Sequence, residues 1–293
     1  MKKGINYLLL LAVFCGLLQV SFGQEVSDIS TQWRIETNDG NEFLGIIVSE
    51  DANVLNLSTK IYGVITIKIS DIKRRKAVKT EKIVEGELWY ENPQATRYFF
   101  APNGYGLKKG EGYYQNVWVL VNQASVGFTK YFSVGVGVVP LFLFAAGATP
   151  VWVTPKISFP VVKEKFNMGA GALLGTVLGE EESSFGITYG IATIGDKNTN
   201  LNFGVGYGFA AGEWAESPMI TLGAMARINR RSYFVTENYY IRLFDENVTL
   251  ISLGGRTVWS RVSLDYGLVV PFMSDMGDFI AIPWLGFVVP MGK

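Results

Sequence analysis

The chain has 293 residues, with 26 basic and 26 acidic side chains, a single cysteine and no histidine. The missing imidazole excludes Ser-His and Cys-His hydrolases and zinc sites built on histidine, and the even charge balance gives no electrostatic footprint for nucleic acid. Glycine at 33 residues, aromatics at 14 % and charged residues at only 18 % make it apolar and glycine-rich, where soluble domains average about 25 % charged.

Lys2 and Lys3 open the chain, and an apolar run from Tyr7 to Leu18 follows. Ser21-Phe22-Gly23 then sets small residues in small-x-small order before Gln24. Together these are the three parts of a cleavable secretory signal, expected over 1–23. The run is shorter than the about 20 residues a transmembrane helix needs. Cys15 follows Phe14, where a lipidated cysteine needs a small residue before it. The lone cysteine therefore leaves with the leader, and the exported chain has no disulfide framework.

Residues 24–75 read as a small polar β domain. Trp33, Ile35 and Thr37 alternate with Arg34 and Glu36, and Asn38-Asp39-Gly40-Asn41 is a turn. A second strand over 42–48 carries Gly45 as a bend, and two more strands flank Tyr62-Gly63. The spacing, with Asp39-Gly40, Phe43 and Gly45, resembles the Sm-like and SH3-like small barrels. Lys73-Arg74-Arg75-Lys76 is the one basic cluster; the expectation is a solvated turn, with lipid headgroup contact next. Residues 76–91 are expected to link this domain to the next.

From 92 to 293 strand-length runs recur between turn residues: Tyr113–Phe128, Phe132–Phe144, Val151–Val162, Phe166–Leu178, Phe185–Ile194, Leu201–Ala211, Met219–Arg227, Ser232–Leu243, Val248–Trp259, Val262–Phe272 and Phe279–Val289. Arg97–Pro102 adds a shorter one. Most match the about 9–11 residues of a tilted transmembrane strand rather than the five or six usual in soluble sheets. Leu201, Phe203, Val205 and Tyr207 oppose Asn202, Gly204, Gly206 and Gly208. Phe185, Ile187, Tyr189 and Ile191 oppose Gly186, Thr188 and Gly190, and Leu264, Tyr266 and Leu268 oppose Ser263, Asp265 and Gly267. A soluble sandwich would set charges on its second face. Large apolar residues toward lipid and small polar ones toward a lumen are what a membrane barrel requires. The fold class expected is all-β: the small N-terminal domain, then an antiparallel transmembrane-type barrel of about 10–12 strands.

Glu91-Asn92-Pro93-Gln94-Ala95-Thr96-Arg97-Tyr98-Phe99-Phe100-Ala101-Pro102 and Leu107-Lys108-Lys109-Gly110-Glu111-Gly112-Tyr113-Tyr114-Gln115-Asn116 resemble uncharacterised outer-membrane barrel proteins of the Bacteroidetes. The resemblance covers about residues 90–293 and implies a location and a fold, with no activity to carry over. One departure is the terminus, Phe287 to Lys293, which lacks the closing aromatic common in such barrels. Pro283 and Pro290 also suit an edge or a strand end better than a strand paired on both sides.

The Gly135-Val136-Gly137 and Gly204-Val205-Gly206 repeats lie within strands, without the strand-turn-helix context of a phosphate loop. Glu180-Glu181-Glu182 reads as a solvated loop rather than a calcium site. A charge on a lipid face costs about 2–4 kcal/mol at the midplane. Glu237 and Asp265 are therefore expected to point inward, and with Arg227 and Arg256 they are the candidate lumenal charges; the other expectation for this cluster, which also holds Arg242 and Arg261, is that several of its members sit at the membrane rims. Tyr98, Phe99, Tyr113, Trp152, Trp214, Tyr233 and Trp259 fall near run ends, as interfacial girdles would. No catalytic, cofactor or metal constellation emerges, so the chain reads as non-enzymatic and without cofactor. The expectation is an exported outer-membrane barrel, structural or a narrow pore for small solutes. Its partners would be membrane lipid and, through a periplasmic N-terminal domain, peptidoglycan or a periplasmic protein. A soluble periplasmic β protein that binds an apolar ligand, and a lipid-modifying outer-membrane enzyme, are the alternatives.

Overall fold

Alternating sequence turns into strand throughout. The computed structural model describes residues 31–78, 83–84, 87–144, 147–181, 183–243, 246–273 and 280–292. The leader expected over 1–23 lies outside the described residues, as do Glu182, Asp245 and Phe279. Two units divide between Glu81 and Lys82. The described residues hold no helix long and apolar enough to cross a membrane.

The first unit is a five-stranded antiparallel sheet. Its strands are β1 (Gln32–Thr37), β2 (Glu42–Glu50), β3 (Val54–Thr59), β4 (Gly63–Lys68) and β5 (Ile72–Val78), in the order β4-β3-β2-β1-β5. Ile35, Leu55, Leu57 and Ile67 form its buried core, with Trp33, Phe43 and Ile47 packed against them. Gly40, at φ 87°, makes the first turn, and Thr37 and the Asn41 amide hold the Asp39 carboxyl below its ordinary range by hydrogen bonding. Gly45 answers to a close approach: a Cβ there would stand 2.2 Å from the Ser58 carbonyl oxygen. The basic run is not a turn. Lys73, Arg74, Arg75 and Lys76 lie on β5, an edge strand, where charge blunts pairing with other chains. Lys73 reaches Glu36 at 3.1 Å and Arg75 reaches Glu50 at 2.7 Å. The sheet thus runs past residue 75 into the span read as linker.

A short hairpin, β6 (Ile83–Val84) and β7 (Glu87–Leu88), opens the second unit. Its wall begins with β8 (Glu111–Val117), β9 (Val121–Gly127), β10 (Phe132–Val138) and β11 (Thr149–Val162). Then come β12 (Phe166–Leu178), β13 (Phe185–Gly195) and β14 (Asn200–Ala210), and the two-residue β15 (Glu213–Trp214) folds back on β14. β16 (Met219–Arg227), β17 (Ser232–Leu243), β18 (Glu246–Val258), β19 (Ser263–Phe272) and β20 (Ile282–Gly292) complete it. Each wall strand pairs antiparallel with the next and β20 pairs back to β8, closing a 12-strand barrel.

Three sequence expectations are corrected here. Tyr113–Phe128 is two strands around a tight turn at Trp118 and Val119, whose φ of 51° and 66° no glycine signals. Arg97–Pro102 is no wall strand, since its two ends merely bridge each other. Pro283 and Pro290 both lie within β20, which is paired on both sides. The stagger explains how: β20 pairs with β19 from Ile282 to Val288 and with β8 from Gly286 to Gly292. Each proline therefore sits where only one neighbour is paired.

The two ends of the barrel differ. At the end where β8 begins, the connections 128–131, 163–165, 196–199, 228–231 and 259–262 are tight turns rich in lysine and arginine. At the other end the connections include the longer 139–148, 179–184, 211–218 and 273–281, and Glu180, Glu181, Glu213, Glu216 and Glu246 gather there.

Replacing Gly45 with valine forces apart β2 and β3 at the Ser58 carbonyl. We expect the N-terminal sheet to lose about 1–3 kcal/mol, read as an earlier denaturant midpoint by fluorescence of Trp33, with the heat resistance of the barrel unchanged.

Candidate lumenal site

Residues 90–108 precede the first wall strand, and their hydrogen bonds go to strands all around the closed wall. Gln115 on β8 donates to the Phe99 carbonyl and accepts from Arg97, and Lys156 on β11 reaches the Tyr105 carbonyl at 2.5 Å. Thr193 on β13 accepts from the Gly104 amide, and Asn200 on β14 accepts from the Tyr98 hydroxyl. Glu237 on β17 and Arg256 on β18 bind the same segment. A chain that touches so many sides of a tube lies inside it. Residues 90–108 are a plug, and Tyr98, Phe99, Ala101, Asn103 and Tyr105 are all buried.

The plug fixes which face of each strand is lumenal. On β14 and β19 the small polar residues point inward, with Asn200, Asn202, Ser263 and Asp265 buried while Leu201, Phe203, Tyr266 and Leu268 are exposed. On β13 the expectation is inverted. Thr193 binds the plug, so Ile191, Tyr189 and Ile187 share its inward face, and Ile191 is buried. The girdle reading is overturned for Tyr98, Phe99, Tyr113, Trp152 and Tyr233, all buried in the lumen; Trp214 and Trp259 remain exposed near strand ends. Lumenal glycines make room for these rings. A Cβ on Gly223 would stand 2.5 Å from Tyr98, and one on Gly137 would stand 2.1 Å from Trp152.

Arg256 is fully buried and organises the plug. Nε and Nη2 form a bidentate pair with Asp265 at 2.6 and 2.9 Å. Nη2 also donates to the Tyr98 carbonyl at 2.5 Å, and Nη1 donates to the carbonyls of Gln94 and Arg97 at 3.0 and 3.3 Å. A planar fork suits this task because its donors diverge in fixed directions. Glu237 holds the middle: Oε2 accepts the amides of Phe100 and Ala101 at 2.9 and 2.8 Å, and Oε1 accepts the Tyr239 hydroxyl. Ser252 exchanges hydrogen bonds with the Glu237 backbone and so steadies it against β18. Arg227 belongs to the rim. It donates to the carbonyls of Tyr90, Asn229 and Arg230 and stacks against Trp89 and Tyr233. Glu237, Asp265 and Arg256 thus meet on the plug, and Arg227 clamps the chain where it enters.

Two functional residues were missed from the sequence. Lys156 looked like one charge in an apolar run, and Arg97 like part of a strand, yet both are buried in the lumen. Above the plug, toward the longer loops, lies a chamber of about 220 Å³. Arg97, Phe100 and Pro102 form its floor, and Leu173, Ile187, Ile191, Met219, Tyr189 and Tyr239 line its sides. Among the described residues no group of His, Cys, Asp and Glu could hold a metal ion.

No family model matches the chain, and no curated protein matches it. A solved structure, the KdgM porin in complex with disordered oligogalacturonate, is similar over 61 % of this chain and 97 % of its own, at 10 % identity and a TM-score of 0.44.

Removing one partner of the Arg256–Asp265 pair leaves a buried uncompensated charge. Arg256→Met or Asp265→Leu alone should cost about 3–5 kcal/mol, seen as a lower temperature at which the unboiled gel band converts to the unfolded position. The double replacement should stand closer to wild type than either single one.

Proposed function

We propose that the protein is a non-enzymatic outer-membrane β-barrel that its own residues 90–108 plug, a narrow pore for small solutes held closed at rest. The observation that carries this is the contrast between the two faces of the wall. Among the described residues, the outward positions between the rims carry no charged side chain. They present large apolar groups such as Val136, Phe159, Leu201, Leu222, Leu253 and Leu285, all exposed. A water-soluble barrel would scatter charge there; lipid outside removes the need. The apolar turn 118–120 supports the same reading. Asn116 donates to the Val119 carbonyl and Asn122 to the Leu120 carbonyl, so the turn satisfies its own backbone where water is scarce.

The short-turn end faces the periplasm in the usual arrangement of such barrels. The chain reaches the plug from that end, where Arg230 and Arg227 hold Tyr90, which supports the reading of a periplasmic N-terminal domain exported on a cleaved leader. Five short antiparallel strands around one apolar cluster support its resemblance to Sm-like and SH3-like barrels. Peptidoglycan or a periplasmic protein is the partner proposed for it. The resemblance to outer-membrane barrel proteins of the Bacteroidetes rests chiefly on residues 91–116, which are the plug and the strand that follows it.

The test is conductance in planar bilayers, with outer-membrane fractionation and a gel-mobility shift between unboiled and boiled samples as controls. Wild type should show only brief, small openings. A variant with residues 94–105 replaced by a glycine-serine segment of equal length should carry a steady current. A steady wide-pore current in wild type would sink the resting seal. A folded, heat-modifiable variant that stays silent would end the pore reading and leave a structural barrel.

A further inference from the structure

Five charged side chains are buried in the described structure: Arg97, Lys156, Arg256, Glu237 and Asp265. Arg256 and Asp265 neutralise each other, and Glu237 is the remaining anion against two remaining cations. Its carboxylate is already committed to the Phe100 and Ala101 amides and to the Tyr239 hydroxyl. Lys156 is bound by the carbonyls of Tyr105 and Thr96. Arg97 has no carboxylate within ion-pair reach among the described residues. Among the described residues the one acceptor for its side chain is the neutral Gln115 amide oxygen at 3.1 Å, and its Nε, though buried, has no partner there. The rings of Phe100 and Tyr113 flank the guanidinium, and Arg97 as a residue is 8 % exposed. A buried cation is costly without an opposite charge in contact; Glu237 attracts this one only from beyond ion-pair distance, and it stands in the floor of the lumenal chamber.

We propose that this chamber is a binding site for a small organic monocarboxylate with an apolar body. The carboxylate would sit on the Arg97 guanidinium, whose fork geometry suits two oxygens. The apolar body would lie against Phe100, Leu173, Ile187, Ile191 and Met219. The volume of about 220 Å³ is below the about 300–1,000 Å³ of pockets for drug-sized molecules, so the ligand is a short-chain or single-ring acid. The acidic residues around the longer loops repel multiply charged anions, which sets a single charge as the rule. Because Arg97 also belongs to the plug, through its backbone bonds to Gln94 and Arg256, an occupant would act on the segment that closes the lumen. The proposal rests on the plugged-barrel reading above.

The test is calorimetric titration of the full-length protein in a non-ionic detergent, with octanoate below its micelle-forming concentration as probe and octanol and citrate as comparisons. Octanoate should bind saturably, octanol about tenfold or more weaker, and citrate not measurably. Arg97→Gln should cost octanoate about tenfold or more while leaving octanol unchanged. Leu173→Trp, which fills the chamber and leaves Arg97 in place, should abolish both, and it serves if Arg97→Gln fails to fold. Equal affinity for octanoate and octanol, undiminished binding to either variant, or no octanoate binding at all would overturn the site. The heat-dependent mobility shift of the same preparation separates the two failures: a barrel that shifts but binds nothing loses only the ligand, whereas wild type without a shift loses the barrel.

Discussion

A closed sheet of eight strands has an interior just wide enough for side chains to fill, and one of twelve is wider. The rest of this structure follows from how the surplus space is occupied. Arg256 is where that happens: one guanidinium holds Asp265 on the neighbouring strand and three carbonyls of the plug at once. Those carbonyls come from an irregular loop, and irregular backbone away from water must find partners or cost several kcal/mol per group. An ionised fork with divergent donors is an economical way to satisfy several of them, and Asp265 keeps the fork itself from being an unpaired charge. Glycines on both surfaces belong to the same arrangement, since a side chain on Gly104 of the plug would meet Asn167 and one on Gly223 of the wall would meet Tyr98.

The wall was largely legible in the sequence because its signal is local. Alternation over a dozen residues needs only neighbours to be read, and β12, β16 and β17 begin and end where the runs do. The plug was not legible because its signal is not local. Tyr98, Phe99 and Phe100 look like one more strand, and only the partners far along the chain, such as Asn200, Glu237 and Arg256, reveal a loop inside a tube. The aromatic rings were misplaced for the same reason. A tyrosine near a strand end suits an interface or a lumen equally well, and Tyr113 and Tyr233 pack inward because the plug offers them a surface.

The inversion on β13 shows how far binary patterning can be trusted in a barrel. The pattern fixes that two faces differ, and which one points outward depends on what fills the interior. A water-filled channel would always put the polar face inward. Here the upper lumen is partly apolar, so Ile187, Tyr189 and Ile191 turn in, and the outward positions hold Thr188, Gly190 and Ala192. Small residues are neutral toward lipid, whereas a charge would not be. The rule that survives is therefore the weaker one: charge stays off the outer face, and size is free to go either way.

This distribution of charge also separates what holds the plug from what it could sense. Arg256 and Asp265 form a closed pair near the short-turn end and leave nothing for a solute. Glu237 is saturated by two backbone amides and a hydroxyl at mid-height. Arg97 is different in kind, because its backbone is part of the plug while its guanidinium is part of the chamber. Any change in what Arg97 binds alters the free energy of the closed loop relative to other arrangements, and a ligand shifts such an equilibrium only by its differential affinity for the states. A residue that shares both surfaces is the place where that difference can arise, so on the reading proposed above the chamber floor, rather than the better-anchored ion pair beneath it, is the point at which closure would respond to a solute.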